Sequence, residues 1–266
     1  RPRAGHYVLT KPISEIYVPN TVQAVIMARI DRLEEVPKKT LQLASVIGRE
    51  FTVRLLERIS DLQAQLERFL QELKGLEFIY ERSFYPELAY MFKHALTHDV
   101  AYNSLLMQHR KELHRLIAMA IEELYAERLP ESYEMLAYHY ERGEVWEKAL
   151  EYLVKAGQKA QQAYANQEAR EHYSRALDMC ARLGEAVQPA TRMSLYAGKG
   201  AVHFLRSEFH PAIDAYQRVL EVTRQVGERP KEANIRECVA AVADQLGGRA
   251  ADVVPVCARA GETFGI

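Results

Sequence analysis

The 266-residue sequence contains no glycine-rich phosphate loop, no Gly-x-Ser-x-Gly elbow and no closely spaced cysteine pair. A phosphate loop needs glycines whose backbone amides face the anion, then a lysine followed by a hydroxyl. The nearest fragment, Gly198-Lys199-Gly200, has Met193 where the first glycine belongs and no hydroxyl after the lysine. It falls on a predicted helix rather than after a strand. It also fails as a dinucleotide loop, because His203 stands at the third glycine position. The missing elbow removes a serine nucleophile of the hydrolase type. The three cysteines, Cys180, Cys238 and Cys257, lie far apart. They read as reduced thiols of a cytoplasmic protein, buried as small hydrophobes. A net charge of −1 creates no global field toward nucleic acid or anionic lipid. No apolar run reaches membrane-spanning length and no leader pattern opens the chain. Arg1 is not a natural start, and Ile266 falls inside an apolar pattern, so a piece of a longer protein is expected.

What the sequence does contain is a spacing. Ala137, Tyr140, Ala149, Leu153 and Ala156 stand at offsets 0, 3, 12, 16 and 19. Gly157, Ala160, Ala169, Tyr173 and Ala176 repeat those offsets. A third set is Gly200, His203, Ala212, Tyr216 and Val219. Small residues recur where two helices approach closely and large ones a turn away, which is how stacked helical hairpins are written. The helix over about 145–165 serves two successive hairpins. A weaker fourth hairpin aligns Gly247, Val253, Cys257 and Ala260, with Pro255 interrupting its last helix.

Before these hairpins the pattern differs. Residues 1–19 hold short β-favouring runs broken by prolines and predict an extended arm or linker. From Asn20 or Thr21, Val22, Val25, Ile26, Ile30 and Leu33 predict a capped helix. A second helix follows Pro37 and ends at Gly48, a third short one contains Phe51, Leu55 and Ile59, and a fourth runs from Asp61 to Lys74. Two runs, 76–82 and 88–94, predict a hairpin. Helices followed by a two-stranded wing make a winged-helix arrangement over 20–95. Connecting helices fill 96–130 and repeats fill 131–266. The expected fold is mostly α: a winged helix with a small β-hairpin, then an α-solenoid.

These residues carry two resemblances. The hairpin offsets resemble tetratricopeptide repeats, with departures at His203 and Val219 and with irregular linking lengths. The series Val18-Pro19-Asn20-Thr21-Val22, Ala28-Arg29-Ile30-Asp31-Arg32-Leu33, Ala44 to Phe51, Phe92-Lys93-His94-Ala95-Leu96 and Arg110 to His114 resembles a second family. It is similar to the region after the ATPase module in bacterial signal-transduction ATPases with numerous domains, relatives of the maltose-regulon activators and multidomain class III nucleotide cyclases. The resemblance implies a non-catalytic regulatory segment, with ATP or ADP held on an upstream module and no cofactor in this chain. The winged helix would couple to the nucleotide switch. The repeats would sense or dock a protein, a peptide or a small inducer. It further implies that His94 contacts the β-phosphate of ADP in the whole protein. The alternative is a DNA-binding winged-helix transcription factor with a repeat domain that binds partners.

Each candidate has a plainer reading beside it. His94 also fits a packing or capping residue at a strand-to-helix junction. His94 and His98 with Asp99 have the spacing of two zinc ligands, but Ala95 stands where a metalloprotease carries glutamate and no third ligand is placed, so a solvated or packed pair is the expected reading. The predicted recognition helix sets Asp61, Glu67 and Glu72 against Arg68 and Lys74, which is poor chemistry for phosphates. His109-Arg110-Lys111 with His114-Arg115 reads as an anion patch or as a wet helix face. Glu122-Glu123 and Glu34-Glu35 are adjacent pairs and read as solvated. The inner face of the first hairpin should present Glu131, Glu134, Tyr138 and Glu141, an acidic stripe suited to a basic peptide. Tyr133, Trp146, Tyr152 and Tyr173 read as packing between helices.

Overall fold

The computed structural model describes residues 2–3, 6–7, 21–60, 62, 65–84, 87–227 and 229–246. The chain divides between Ile117 and Ala118 into two compact units. It is mostly helical, with one three-stranded antiparallel sheet and a short two-stranded ladder among the described residues. In that ladder β1 (Pro2–Arg3) pairs with β2 (His6–Tyr7).

The first unit is built on long-range pairing. Thr21 caps α1 (Val22–Ile30), its Oγ1 accepting from the Ala24 amide at 3.1 Å. Pro37 sits in the first turn of α2 (Glu35–Ile47), where a missing N–H loses no helical partner. Phe51, expected on a helix, lies on a strand, β3 (Glu50–Thr52). Three residues are too few to show alternation, and the partner strand is far along the chain. Thr52 ends the strand and caps α3 (Val53–Ile59), accepting from the Leu55 amide at 3.3 Å. Then α4 runs Leu66–Gly75, starting after Gln65 rather than after Asp61, which lies outside the described residues. Glu77, at φ 61°, turns the chain into β4 (Ile79–Ser83). The sheet order is β3-β5-β4, with β5 (Ala89–Phe92) central and all neighbours antiparallel. The expected hairpin is therefore two strands of a three-stranded sheet. α5 (Ala95–Asn103) packs on α1 and α2, so it belongs to this unit instead of bridging away from it. The core is aliphatic and aromatic: Ile30, Leu41, Leu56, Leu70, Tyr90 and Phe92 are each nearly or fully excluded from water.

α6 (Met107–Leu124) spans the division. In the second unit a 3-10 segment (Ala126–Ser132) leads to α7 (Tyr133–Arg142), α8 (Trp146–Gln162), α9 (Asn166–Leu183), α10 (Pro189–Leu205), α11 (Phe209–Val226) and α12 (Arg229–Leu246). From α7 onward each helix packs on the next. Three of the turns share one geometry. Glu144, Tyr164 and Ser207 are all left-handed, at φ 57°, 57° and 60°. In each turn the following amide reaches back five residues, Val145 to Tyr140, Ala165 to Ala160 and Glu208 to His203, always at 2.9 Å. This is a Schellman closure, which satisfies helix-end carbonyls. Its left-handed residue is usually glycine, and here it is not.

The fifteen spaced residues of the three sets are all buried. Three glycines of these helices sit under rings. A Cβ on Gly157 would lie 2.6 Å from Tyr173 Cε1, one on Gly198 2.8 Å from Tyr173 Cζ, and one on Gly200 2.9 Å from Tyr216 Cε1. Tyr173 is thus clasped between α8 and α10. His203, the departure from tyrosine, still ties the hairpin together, because its Nδ1 lies 2.5 Å from Glu208 across the turn. Cys180 and Cys238 are buried and not in disulfides. The fourth hairpin expected around Gly247, Val253, Cys257 and Ala260 lies outside the described residues. No helix among the described residues is long and apolar enough to cross a membrane.

Candidate docking groove

Two of the three acids in the stripe are paired with cations from neighbouring helices. Glu131 is exposed on the 3-10 segment, 3.9 Å from Arg128. Glu134 accepts from Lys159 Nζ at 2.9 Å. Glu141 accepts from Arg175. Tyr138 is 40% exposed and carries the Arg142 guanidinium 5.5 Å above its ring. Lys159 comes from α8 and Arg175 from α9, so helix stacking delivers a cation to each of these two carboxylates.

The open chemistry of this surface is cationic. One groove of about 460 Å³ is lined by Tyr138, Glu141, Arg142, Trp146, Arg175, Met179 and Arg182. A second of about 490 Å³ is lined by Arg170, Glu171, Ser174, Arg175, Lys199 and His203. Arg175 is common to both. Together they hold five cationic side chains, Arg142, Arg170, Arg175, Arg182 and Lys199, against two carboxylates, Glu141 and Glu171. Arg182 lies over the Trp146 ring at 4.9 Å, so this tryptophan is a platform for a guanidinium as well as a packing residue. Arg170 is partly taken up, 3.8 Å from Glu208. Arg175 and Arg182 stand seven apart on α9 and therefore share a face, a spacing that the sequence already carries.

Other candidates separate. His94 is exposed at the N-cap of α5, and its backbone carbonyl accepts from the Thr97 amide at 3.0 Å. His98 turns inward, with Nε2 2.9 Å from the Ser45 carbonyl and Nδ1 3.0 Å from Asp99. Its ring meets Phe92 edge-on at 5.2 Å. The two imidazoles thus do different things. The proposed anion patch also splits: His114 is buried with Nε2 3.0 Å from the Tyr102 hydroxyl, and Arg110 stacks on the same Tyr102 ring at 4.8 Å. On α4 the exposed Glu67 and Arg68 offset each other, and Lys74 is held by Glu81 at 2.7 Å.

Glu122, read as half of a solvated pair, accepts three side-chain hydrogen bonds. It accepts from Tyr140 at 2.7 Å, from Lys148 at 3.0 Å and from Tyr152. The Tyr140 and Tyr152 rings stack at 5.8 Å. Burial pushes the Glu122 carboxyl up, but the three donors outweigh it and hold it below the ordinary carboxylate value. The same site drives both tyrosine hydroxyls above their ordinary value, first by burial and then by the carboxylate. Three helices, α6, α7 and α8, are tied at one point. Adjacent-pair reasoning misses it because only one member of the pair faces inward.

No family model matches this sequence, and no solved structure matches it. An uncharacterised protein of Rhizobium meliloti (strain 1021) is 26% identical over 224 residues. That match covers 81% of this chain and 22% of the Rhizobium protein, so the chain spans less than a quarter of the length of this curated relative.

Proposed function

We propose that this chain is a non-catalytic regulatory and protein-docking segment of a larger ATP-dependent signalling or transcription regulator in the cytoplasm. In this reading α7–α12 are an irregular tetratricopeptide-like solenoid. Helices α2, α3 and α4 with the β4–β5 wing are a winged helix, and β3 adds a strand to the wing. The observation that carries the proposal is the Schellman turn repeated three times, at Glu144, Tyr164 and Ser207. Identical turns stack helices in one sense and leave a continuous flank, which is the architecture of docking proteins. The Rhizobium relative, far longer than the matched part, supports a large parent.

The winged helix serves as a coupling domain to an upstream nucleotide switch. The exposed position of His94 leaves its imidazole available to an ADP phosphate held on that module. A DNA-reading role draws no support from α4, whose exposed charges cancel. The whole reading frame tests the proposal. It should encode a phosphate loop upstream of this segment, and the purified parent should retain ADP. A parent without a nucleotide module overturns the reading.

A further inference from the structure

We propose that the groove lined by α7, the start of α8, α9 and α10 binds an acidic linear peptide segment of a partner protein. Its carboxylates would be taken by Arg142, Arg182 and Lys199, with Arg175 at the junction of the two hollows. This rests on the docking reading above and names the chemistry of its partner.

The first support is charge. The acids expected to define this face are consumed internally, Glu134 by Lys159 and Glu141 by Arg175. What remains is a surplus of cations on a chain whose net charge is −1. Among the described residues, Arg142, Arg182 and Lys199 have no carboxylate partner.

The second support is preorganisation. Arg182 lies over the Trp146 ring at 4.9 Å and Arg142 over the Tyr138 ring at 5.5 Å. A guanidinium held over a ring through its central carbon still has N–H groups that can fork onto a carboxylate. The side-chain ordering that binding requires is largely complete before the partner arrives. Lys199 is half-buried on α10, in the second hollow.

The third support selects among anions. A nucleic acid presents unbroken phosphates and unstacked bases. Glu171 interrupts the cations of the second hollow and would repel a phosphate row. The Trp146 and Tyr138 faces that could stack bases are already covered by arginines. A peptide can set a neutral or donor residue opposite Glu171. Each hollow falls within the range of about 300–1,000 Å³ typical of ligand sites. Sharing Arg175, the two suit an extended segment better than a single small anion.

Fluorescence anisotropy on the full 266-residue chain tests this at moderate salt. The probes are a labelled peptide alternating Glu and Ser, its Lys-Ser counterpart, and a short DNA duplex. The acidic peptide is expected to saturate and the basic one not to bind. Arg182→Gln and Lys199→Gln should each weaken binding about tenfold, the scale of one charge-assisted hydrogen bond. Lys199→Gln should leave the melting temperature unchanged, and Arg182→Gln should lower it only by the loss of its contact with Trp146. Lys111→Gln, a cation outside the groove, should leave binding intact. Duplex DNA competing as well as the acidic peptide, equal binding by the two groove variants, or no saturation overturns the proposal. The docking reading fails separately. If the acidic peptide does not bind but the groove variants still silence the parent protein, the surface is a docking site of other chemistry. If the parent's output is also unmoved, both fall.

Discussion

The two units solve the burial problem differently. In the first, large aliphatic and aromatic side chains from distant stretches meet: Phe51 on β3 lies against Tyr90 and Phe92 on β5, with ring centroids 6.2 and 6.0 Å apart. In the second, each helix meets its sequence neighbour, and rings press onto bare backbone, as Tyr173 does on Gly157 and Gly198. The first arrangement needs the whole unit to be folded before any part is stable. The second adds stability one interface at a time. Damage should therefore spread through the first unit and stay local in the second.

The largest expected effect tests that contrast directly. Phe92→Ala and Tyr173→Ala should each cost about 3–5 kcal/mol, the usual range for emptying a buried aromatic site. Their footprints should differ. Hydrogen exchange after Phe92→Ala should rise across β3, β5 and α5 together. After Tyr173→Ala it should rise in α8, α9 and α10 while α12 keeps its protection. Even loss of protection across the second unit would break the comparison.

Glu122 comes next. Glu122→Gln keeps the shape but removes the charge that Tyr140, Tyr152 and Lys148 donate to. The side chain is 26% exposed, so solvent screens part of the effect. A loss of about 2 kcal/mol follows from weakening charge-assisted hydrogen bonds. The sign of the pH dependence follows from the lowered carboxyl. The folded protein binds this proton less readily than the unfolded chain. The stabilisation is complete above the ordinary value of 4.5 and fades as pH falls through the lower folded value. Denaturant titrations of the second unit between neutral and acid pH should show a fall in the native protein and a shallower one in Glu122→Gln. Equal slopes would mean that Glu122 is not the group responsible.

How far the sequence can be read divides along the same line. In the second unit the offsets of Ala, Gly and Tyr are local, and every residue of the three sets is buried. In the first, β3 is hidden because three residues carry no period and its pairing with β5 is non-local. Charges are the least legible. The glutamates at 134 and 141 are visible along one helix, but the cations that neutralise them come from α8 and α9. Only the stacking reveals that the groove is basic. The turns are also obscured, because Glu144, Tyr164 and Ser207 occupy a conformation that normally advertises itself with glycine.

Those turns supply a smaller prediction of opposite sign. Tyr164 is 80% exposed, so its ring contributes little packing, yet its backbone is held at φ 57°. A left-handed conformation costs a non-glycine residue about 1–2 kcal/mol, and the flexible unfolded glycine chain returns part of that gain. Tyr164→Gly should stabilise the second unit by about 0.5–1 kcal/mol in urea unfolding, the part of that cost left after the glycine entropy is subtracted. A loss of stability would show that the exposed ring makes a contact the turn depends on.

The smallest effect on folding belongs to His94, and its smallness is what makes it informative. The imidazole is exposed, and at the N-cap of α5 it makes no side-chain capping hydrogen bond. His94→Ala should change stability by less than about 0.5 kcal/mol, as expected for a surface site without a structural partner. Its neighbour in sequence spacing behaves oppositely. His98 is lodged against Ser45 and Phe92, and its loss should cost about 1–3 kcal/mol by leaving the Ser45 carbonyl unpaired. If His94 instead serves a nucleotide phosphate in the parent protein, the alanine variant should melt like the native chain but retain less ADP and signal at a higher basal level. An unchanged melting temperature with unchanged ADP retention assigns His94 to the solvent-facing end of a helix and leaves the coupling to other residues of the first unit.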